Sequence, residues 1–278
     1  MNDQRKQSLS EAGRLADESA AAFTAAADAT NPAERVDQLD LARKAAGDSA
    51  LAGAYTFLQK LVGSIACALP FVVAIGSLAL GESELKGSIS AHYYTPMGNV
   101  FVGALCALGV FFVSYQHKPL PGYELDNALS YGAGGAAIGV ALFPTADGIA
   151  KPWTGEWIVS TTHLVCACAL FVLLAIFSLK LFTRTGDDGI VSDAKRKRNV
   201  VFRACGWTIV ASIVLVIVSN IIDPPDSWNS LFWLESIGVI AFGISWLVKS
   251  GIFGWLSDGA AEATRPPIGS PTPALVEP

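Results

Sequence analysis

What most constrains this chain is the clustering of its apolar residues into six runs, each close to the roughly 20 residues that cross a bilayer core. They extend over 61–81, 99–115, 127–145, 157–181, 206–222 and 231–248. Short polar connections separate them and leave no room for a further soluble domain. The expected fold is therefore all-α: a polytopic membrane protein with a six-transmembrane-helix bundle and an N-terminal helical extension. Three regions are expected, namely a polar, Ala-rich cytoplasmic extension over 1–58, the membrane domain over 59–250, and a disordered Pro-rich cytoplasmic tail over 251–278.

Composition agrees. Of the 278 residues, 52% are hydrophobic and 15% charged, where a soluble domain carries about a quarter charged residues. The net charge of −5 argues against nucleic acid as a partner. Five cysteines (Cys67, Cys106, Cys166, Cys168, Cys205) fall inside apolar runs without a CxxC pair, so they read as small apolar filler rather than a zinc or redox motif. The first 55 residues hold no apolar core of the kind a secretory signal needs.

Within the extension, Ser8 and Glu11 have the spacing of a capping box, Asn31-Pro32 is a second helix start, and Gly47 is the expected stop. Apolar residues there are too sparse for an independent core; a protein partner could engage this segment. Pro70 lies inside the first spanning run, where a kink is expected. Asp126, at the cytoplasmic mouth of the third run, has two readings: a pair with Lys118 or Arg203, or an anchor at the interface. In the same run Ala128, Gly132, Gly135 and Gly139 share a helix face, the pattern by which membrane helices approach closely.

Basic residues orient the bundle. One set of flanks holds Arg43, Lys44, Lys60, Lys118, Lys180, Arg184, Lys195, Arg196, Lys197, Arg198, Arg203, Lys249 and Arg265; the other holds Lys86 and Lys151. Positive flanks stay cytoplasmic, so both termini are expected inside an inner (plasma) membrane, crossed several times. The Lys195–Arg198 cluster also suits anionic headgroups.

That topology places Ser88-Ile89-Ser90-Ala91-His92-Tyr93-Tyr94 and Asn99 on the outer face, beside His163 of the fourth run and Glu235 of the sixth. Ionisable groups inside a bilayer usually face the protein interior. The expected ligand pocket comprises Ser88, Ser90, His92, Tyr93, Asn99, His163 and Glu235, with His92 or Tyr93 in hydrogen-bonding reach of His163 or Glu235. No HExxH, no HxxxD…H spacing and no Gly-x-Ser-x-Gly elbow marks a catalytic centre, so no catalytic, cofactor or metal residue is assigned.

Ser88 in a first outer loop, Asn99 leading the second run, Phe143-Pro144 ending the third and His163 opening the fourth together form a pattern. With Asn99–Gly103 and Phe242–Lys249, it resembles an uncharacterised bacterial six-helix membrane family similar in layout to the damage-regulated autophagy modulator and Sfk-type proteins. That resemblance covers roughly residues 60–250 and implies six spanning helices and an association with membrane lipid, with no catalytic residue or cofactor. The expected function is a non-enzymatic membrane protein that binds or senses lipid or organises membrane partners. A metal-dependent lipid-modifying enzyme using His92 and His163, and a small-solute transporter or channel, are the alternatives. Against transport stand the absence of an inverted repeat and of an ionisable residue at mid-bilayer depth.

Overall fold

A computed structural model of the protein describes residues 32–115, 124–146, 155–184, 192–222 and 224–253, with Leu256 and scattered positions between 17 and 27. Among the described residues the regular elements are helical and no strand occurs. The α-helices are α1 (Pro32–Ala79), α2 (Gly98–Ser114), α3 (Glu124–Leu142), α4 (Glu156–Ile176), α5 (Asp193–Ile222) and α6 (Ser230–Lys249). Short 3₁₀ turns cover Ser90–Tyr94 and Asp226–Trp228, and a π-helical turn, Phe177–Leu181, prolongs α4. Lys118, Lys151 and the expected tail beyond Leu256 lie outside the described residues.

Four helical stretches are long and apolar enough to cross a membrane: Arg35–Ala79, Trp157–Leu181, Asp193–Ile222 and Ser230–Lys249. The other two fall short for separate reasons. α2 is apolar but has 17 residues, about 26 Å at 1.5 Å per residue. α3 has 19, but its first turn carries Glu124, Asp126 and Asn127 and its remainder is rich in glycine and alanine.

Two boundaries differ from the expected ones. Gly47 does not stop a helix: α1 runs unbroken from Pro32 through Gly47, Gly53 and Pro70 to Ala79. A helical glycine costs only about 1 kcal/mol, and Ala45 and Ala46 precede Gly47 with no proline after it to force an end. At the other, α5 begins at Asp193, not near Gly206, so the Lys195–Arg198 cluster is helical. Ser192 Oγ accepts the Lys195 N–H at 3.1 Å, an N-cap, and Asp193 lies in the first turn, where the helix dipole favours a negative charge.

Contacts divide the chain into two compact units: 1–53 with 192–195 and 251–278, and 54–191 with 196–250. In the first, the surface pair Arg43–Asp40 spans 3.6 Å between two exposed side chains, an arrangement that adds little stability. The second holds the helix packing and the site.

Within that second unit, glycine allows close approach at two helix pairs. A Cβ on Gly63 of α1 would stand 2.9 Å from the Gly243 carbonyl oxygen of α6, and one on Gly243 2.9 Å from that of Gly63. Gly109 of α2 and Gly134 of α3 are related in the same way, at 3.0 and 2.8 Å. The small-residue face expected on α3 is thus not the one that closes on α2. Gly135 has open space around it, while Gly139 abuts Cys166 of α4 and Gly132 touches Leu173. α3 has a neighbour on each of two sides, so its small residues serve two contacts instead of one stripe.

The densest core lies where α2 and α4 end, α5 begins and α6 ends. Trp246 is fully buried, with ring centroids of Tyr115, Phe111 and Phe182 at 4.9, 5.1 and 5.1 Å, all edge-on. Edge-to-face rings at this spacing add to the value of burial itself. The π-turn serves this core: the Phe182 N–H reaches back to the Phe177 carbonyl at 2.9 Å, and both rings are buried. Ser178, also in the turn, donates to Ser245 of α6 at 3.2 Å. Nearby, the buried Asp126 carboxylate pairs with Arg184, while of the two expected partners Lys118 lies outside the described residues. Arg203, from the helical run of α5, is exposed.

Candidate functional site

The opposite end of the second unit carries the expected site residues. Two residues past the end of α1, Gly81 has a φ of +111° that suits glycine, while the Glu82 N–H returns to the Ser77 carbonyl at 3.0 Å. The segment from Glu82 to Met97 then folds on itself. Ser88 and Ser90 hydroxyls lie 3.1 Å apart, Ser88 Oγ accepts the Ala91 N–H at 2.9 Å, and Thr95 Oγ1 donates to the His92 carbonyl at 2.7 Å. Thr95 Oγ1 also stands 2.9 Å from Ser77 Oγ of α1. Much of the polarity that singles this stretch out is used within the loop.

Other bonds tie the loop to its neighbours. Glu235 Oε2 of α6 accepts the Ile89 N–H at 2.7 Å, and the Phe232 N–H donates to the Gly87 carbonyl at 2.8 Å. The Tyr94 hydroxyl donates to the Thr145 carbonyl at 2.7 Å, past the end of α3. His163 Nδ1 donates to the Phe143 carbonyl at 2.6 Å, fastening α4 to α3. A carbonyl can only accept, so Nδ1 carries the proton, and in the neutral ring Nε2 is an acceptor.

A cavity of about 420 Å³ lies where α4, α5 and α6 meet this loop, within the size range of small-molecule sites. Ser88, Ser90, Ser160, Thr161, His163, Asn220 and Glu235 give it polar groups; Leu164, Ala167, Phe171, Ile213, Ile217 and Leu234 give it apolar wall. A smaller, almost wholly apolar cavity of about 60 Å³ reaches between α1, α2 and α3, and Ser90, His163 and Glu235 border both.

Four of the seven expected residues, Ser88, Ser90, His163 and Glu235, line the larger cavity. His92, Tyr93 and Asn99 are placed elsewhere. His92 is buried, donates from Nδ1 to the Ser88 carbonyl at 2.9 Å and packs its ring 5.7 Å from that of Phe232. Its partners are thus the loop and Phe232, in place of the expected His163 or Glu235. Burial holds its pKa below the ordinary histidine value, although the Ser88 and Ile89 carbonyls pull the other way. Tyr93 stacks edge-on against Tyr94 at 5.2 Å, and Asn99 is exposed on the first turn of α2.

Sequence reasoning passed over Ser212 and Asn220 of α5, which also line the cavity. Their signal was spacing: they stand at i and i+8, with Val216 between, on one face of an otherwise apolar run. Among the described residues no three His, Cys, Asp or Glu side chains gather as a metal site needs.

Fold and site define a class, a helical protein with segments long and apolar enough to cross a membrane and a cavity lined by both polar and apolar groups. No family model matches the chain, and neither a curated protein nor a solved structure matches it.

Proposed function

We propose that this chain is a six-span membrane protein that binds lipid in the cavity between α4, α5, α6 and the loop after α1. One observation carries the reading: the cavity joins hydroxyl, imidazole and carboxylate groups to an apolar wall of Leu164, Ala167, Phe171 and Ile217. Leu164 and Ile217 are themselves largely exposed, at 60% and 57%. A headgroup finds partners at one end, and an acyl chain lies along the other.

Two features support counting α2 and α3 as spans. α2 closes on α3 through Gly109 and Gly134, the close packing typical of membrane helices. The buried charge in the first turn of α3 is neutralised, since Arg184 meets Asp126. The distribution of basic residues supports cytoplasmic termini and an outward-facing loop in an inner membrane. The layout shared with damage-regulated autophagy modulator and Sfk-type proteins is consistent with the same reading, in which the protein is not an enzyme.

Lipid mass spectrometry on protein extracted in mild detergent tests this. Phospholipid should co-purify with the wild-type chain, fall sharply in Ala167→Trp and persist in Lys195→Ala. Lipid retained at the wild-type level in a folded Ala167→Trp chain overturns the reading. For topology, labelling of single cysteines placed at Ser83 and Arg196 should mark opposite sides of the membrane.

A further inference from the structure

We propose that the lipid held in this cavity carries a primary ammonium head, as phosphatidylethanolamine does, in preference to a fully methylated or anionic one. The inference rests on the lipid-binding reading above and names its ligand class.

Donors and acceptors in the cavity select the head group. Among the described residues lining the cavity, Glu235 is the single acidic side chain, and none is lysine or arginine. An anionic head would meet a carboxylate and no compensating cation, which is unfavourable where water is scarce. The carboxylate is held in place by the Ile89 backbone N–H. It has about four lone-pair positions, so others remain for a ligand. His163 adds an acceptor, because the Phe143 carbonyl fixes the proton on Nδ1 and leaves Nε2 with a lone pair.

The site therefore offers acceptors, and its complement brings donors. A primary ammonium supplies three N–H groups and a positive charge, so each contact with Glu235 is charge-assisted. A trimethylammonium supplies the charge without the donors. A glycerol head supplies donors but leaves the lipid net negative.

The test is native mass spectrometry of the full chain in mild detergent. Phosphatidylethanolamine, phosphatidylcholine and phosphatidylglycerol of identical acyl chains are titrated separately. Wild type should bind phosphatidylethanolamine roughly tenfold more tightly than the others, the scale of one hydrogen bond to a charged group. Glu235→Gln should bring all three to similar, still measurable affinity. Ala167→Trp should abolish binding of all three, with Ile217→Trp as the substitute if that chain does not fold. Free ethanolamine at millimolar concentration should displace none of them.

Equal binding of phosphatidylcholine or phosphatidylglycerol by wild type overturns the head-group assignment, as does a preference that survives in Glu235→Gln. Displacement by ethanolamine overturns the lipid in favour of a small soluble amine. If wild type binds none of the three, the lipid-binding reading itself fails.

Discussion

The two ends of the second unit solve opposite problems with similar residues. Around Trp246 the aromatic rings fill the space between helices, and the buried Asp126 carboxylate is met by Arg184. Around Glu235 a half-buried carboxylate accepts the Ile89 N–H, beside a cavity of about 420 Å³. A protein interior is normally packed as densely as an organic crystal, so an unfilled polar cavity at one end, with the other end closed, marks where a ligand has room. The difference teaches that a carboxylate in a helix bundle is informative through the cation it has or lacks. Asp126 pairs with Arg184; Glu235 meets no cation among the described residues that line its cavity.

Perturbing the packed end should have the largest effect. Trp246→Ala removes a fully buried indole and should destabilise by about 3–5 kcal/mol, read as a lower midpoint of thermal unfolding in detergent. Trp246→Phe should cost under about 1.5 kcal/mol, because the indole Nε1 has no hydrogen-bond partner among the described residues and its loss leaves nothing newly unpaired. If the two variants are equally destabilised, the indole edge is bonded after all and the end is not held by ring packing alone.

Next in size is the ion pair. Asp126 is 2% exposed at its side chain and Arg184 44%. Arg184→Ala strands a buried carboxylate whose Oδ1 already has no partner, and should destabilise by about 2 kcal/mol, less than a fully buried pair because the guanidinium is half solvated. Asp126→Asn should cost less, since it strands no buried charge. The opposite order would mean that Arg184, not Asp126, is the residue the fold has to neutralise.

Much of this contrast was legible in the chain, and the limits have physical causes. Apolar run length announced the helices, because no short polar connection can be mistaken for 20 apolar residues. It counted six spans, where four described helical stretches are long and apolar enough to cross a membrane: α2 stops at 17 residues, and α3 opens on charge and is rich in glycine and alanine. Of the expected pocket, His163 and Glu235 were marked by being ionisable within apolar runs, and both line the cavity with Ser88 and Ser90. His92 carried the same chemical signal but is spent on the Ser88 carbonyl. Local sequence cannot tell a loop that folds on its own hydroxyls from one that offers them to a ligand. The π-turn at Phe177–Leu181 had no sequence signature at all, since its extra residue is inserted to align Phe177 and Phe182 with partners far along the chain.

His92 sharpens the comparison through pH. Its pKa in the folded loop lies below the ordinary value, so the unfolded chain takes up the proton first. Stability from this residue is intact above about pH 6.5 and declines as the pH falls below that, levelling off beneath the folded value. Thermal midpoints at pH 8 and pH 5.5 should therefore differ less in His92→Gln than in wild type. An unchanged difference would place the acid sensitivity in another group and free His92 from its structural role.

The smallest expected change in stability is at the residue expected to matter most for binding. Glu235→Gln keeps an oxygen for the Ile89 N–H, which now donates at 2.7 Å to the carboxylate, and exchanges a charge-assisted bond for a neutral one. Such an exchange costs about 1 kcal/mol or less. The thermal midpoint of Glu235→Gln should thus stay close to that of wild type while lipid selectivity changes. A large loss of stability would instead make Glu235 a strut that holds the 88–90 loop on α6. The two ends would then differ in how they are packed but not in purpose, and the cavity would lose its claim to be the functional one.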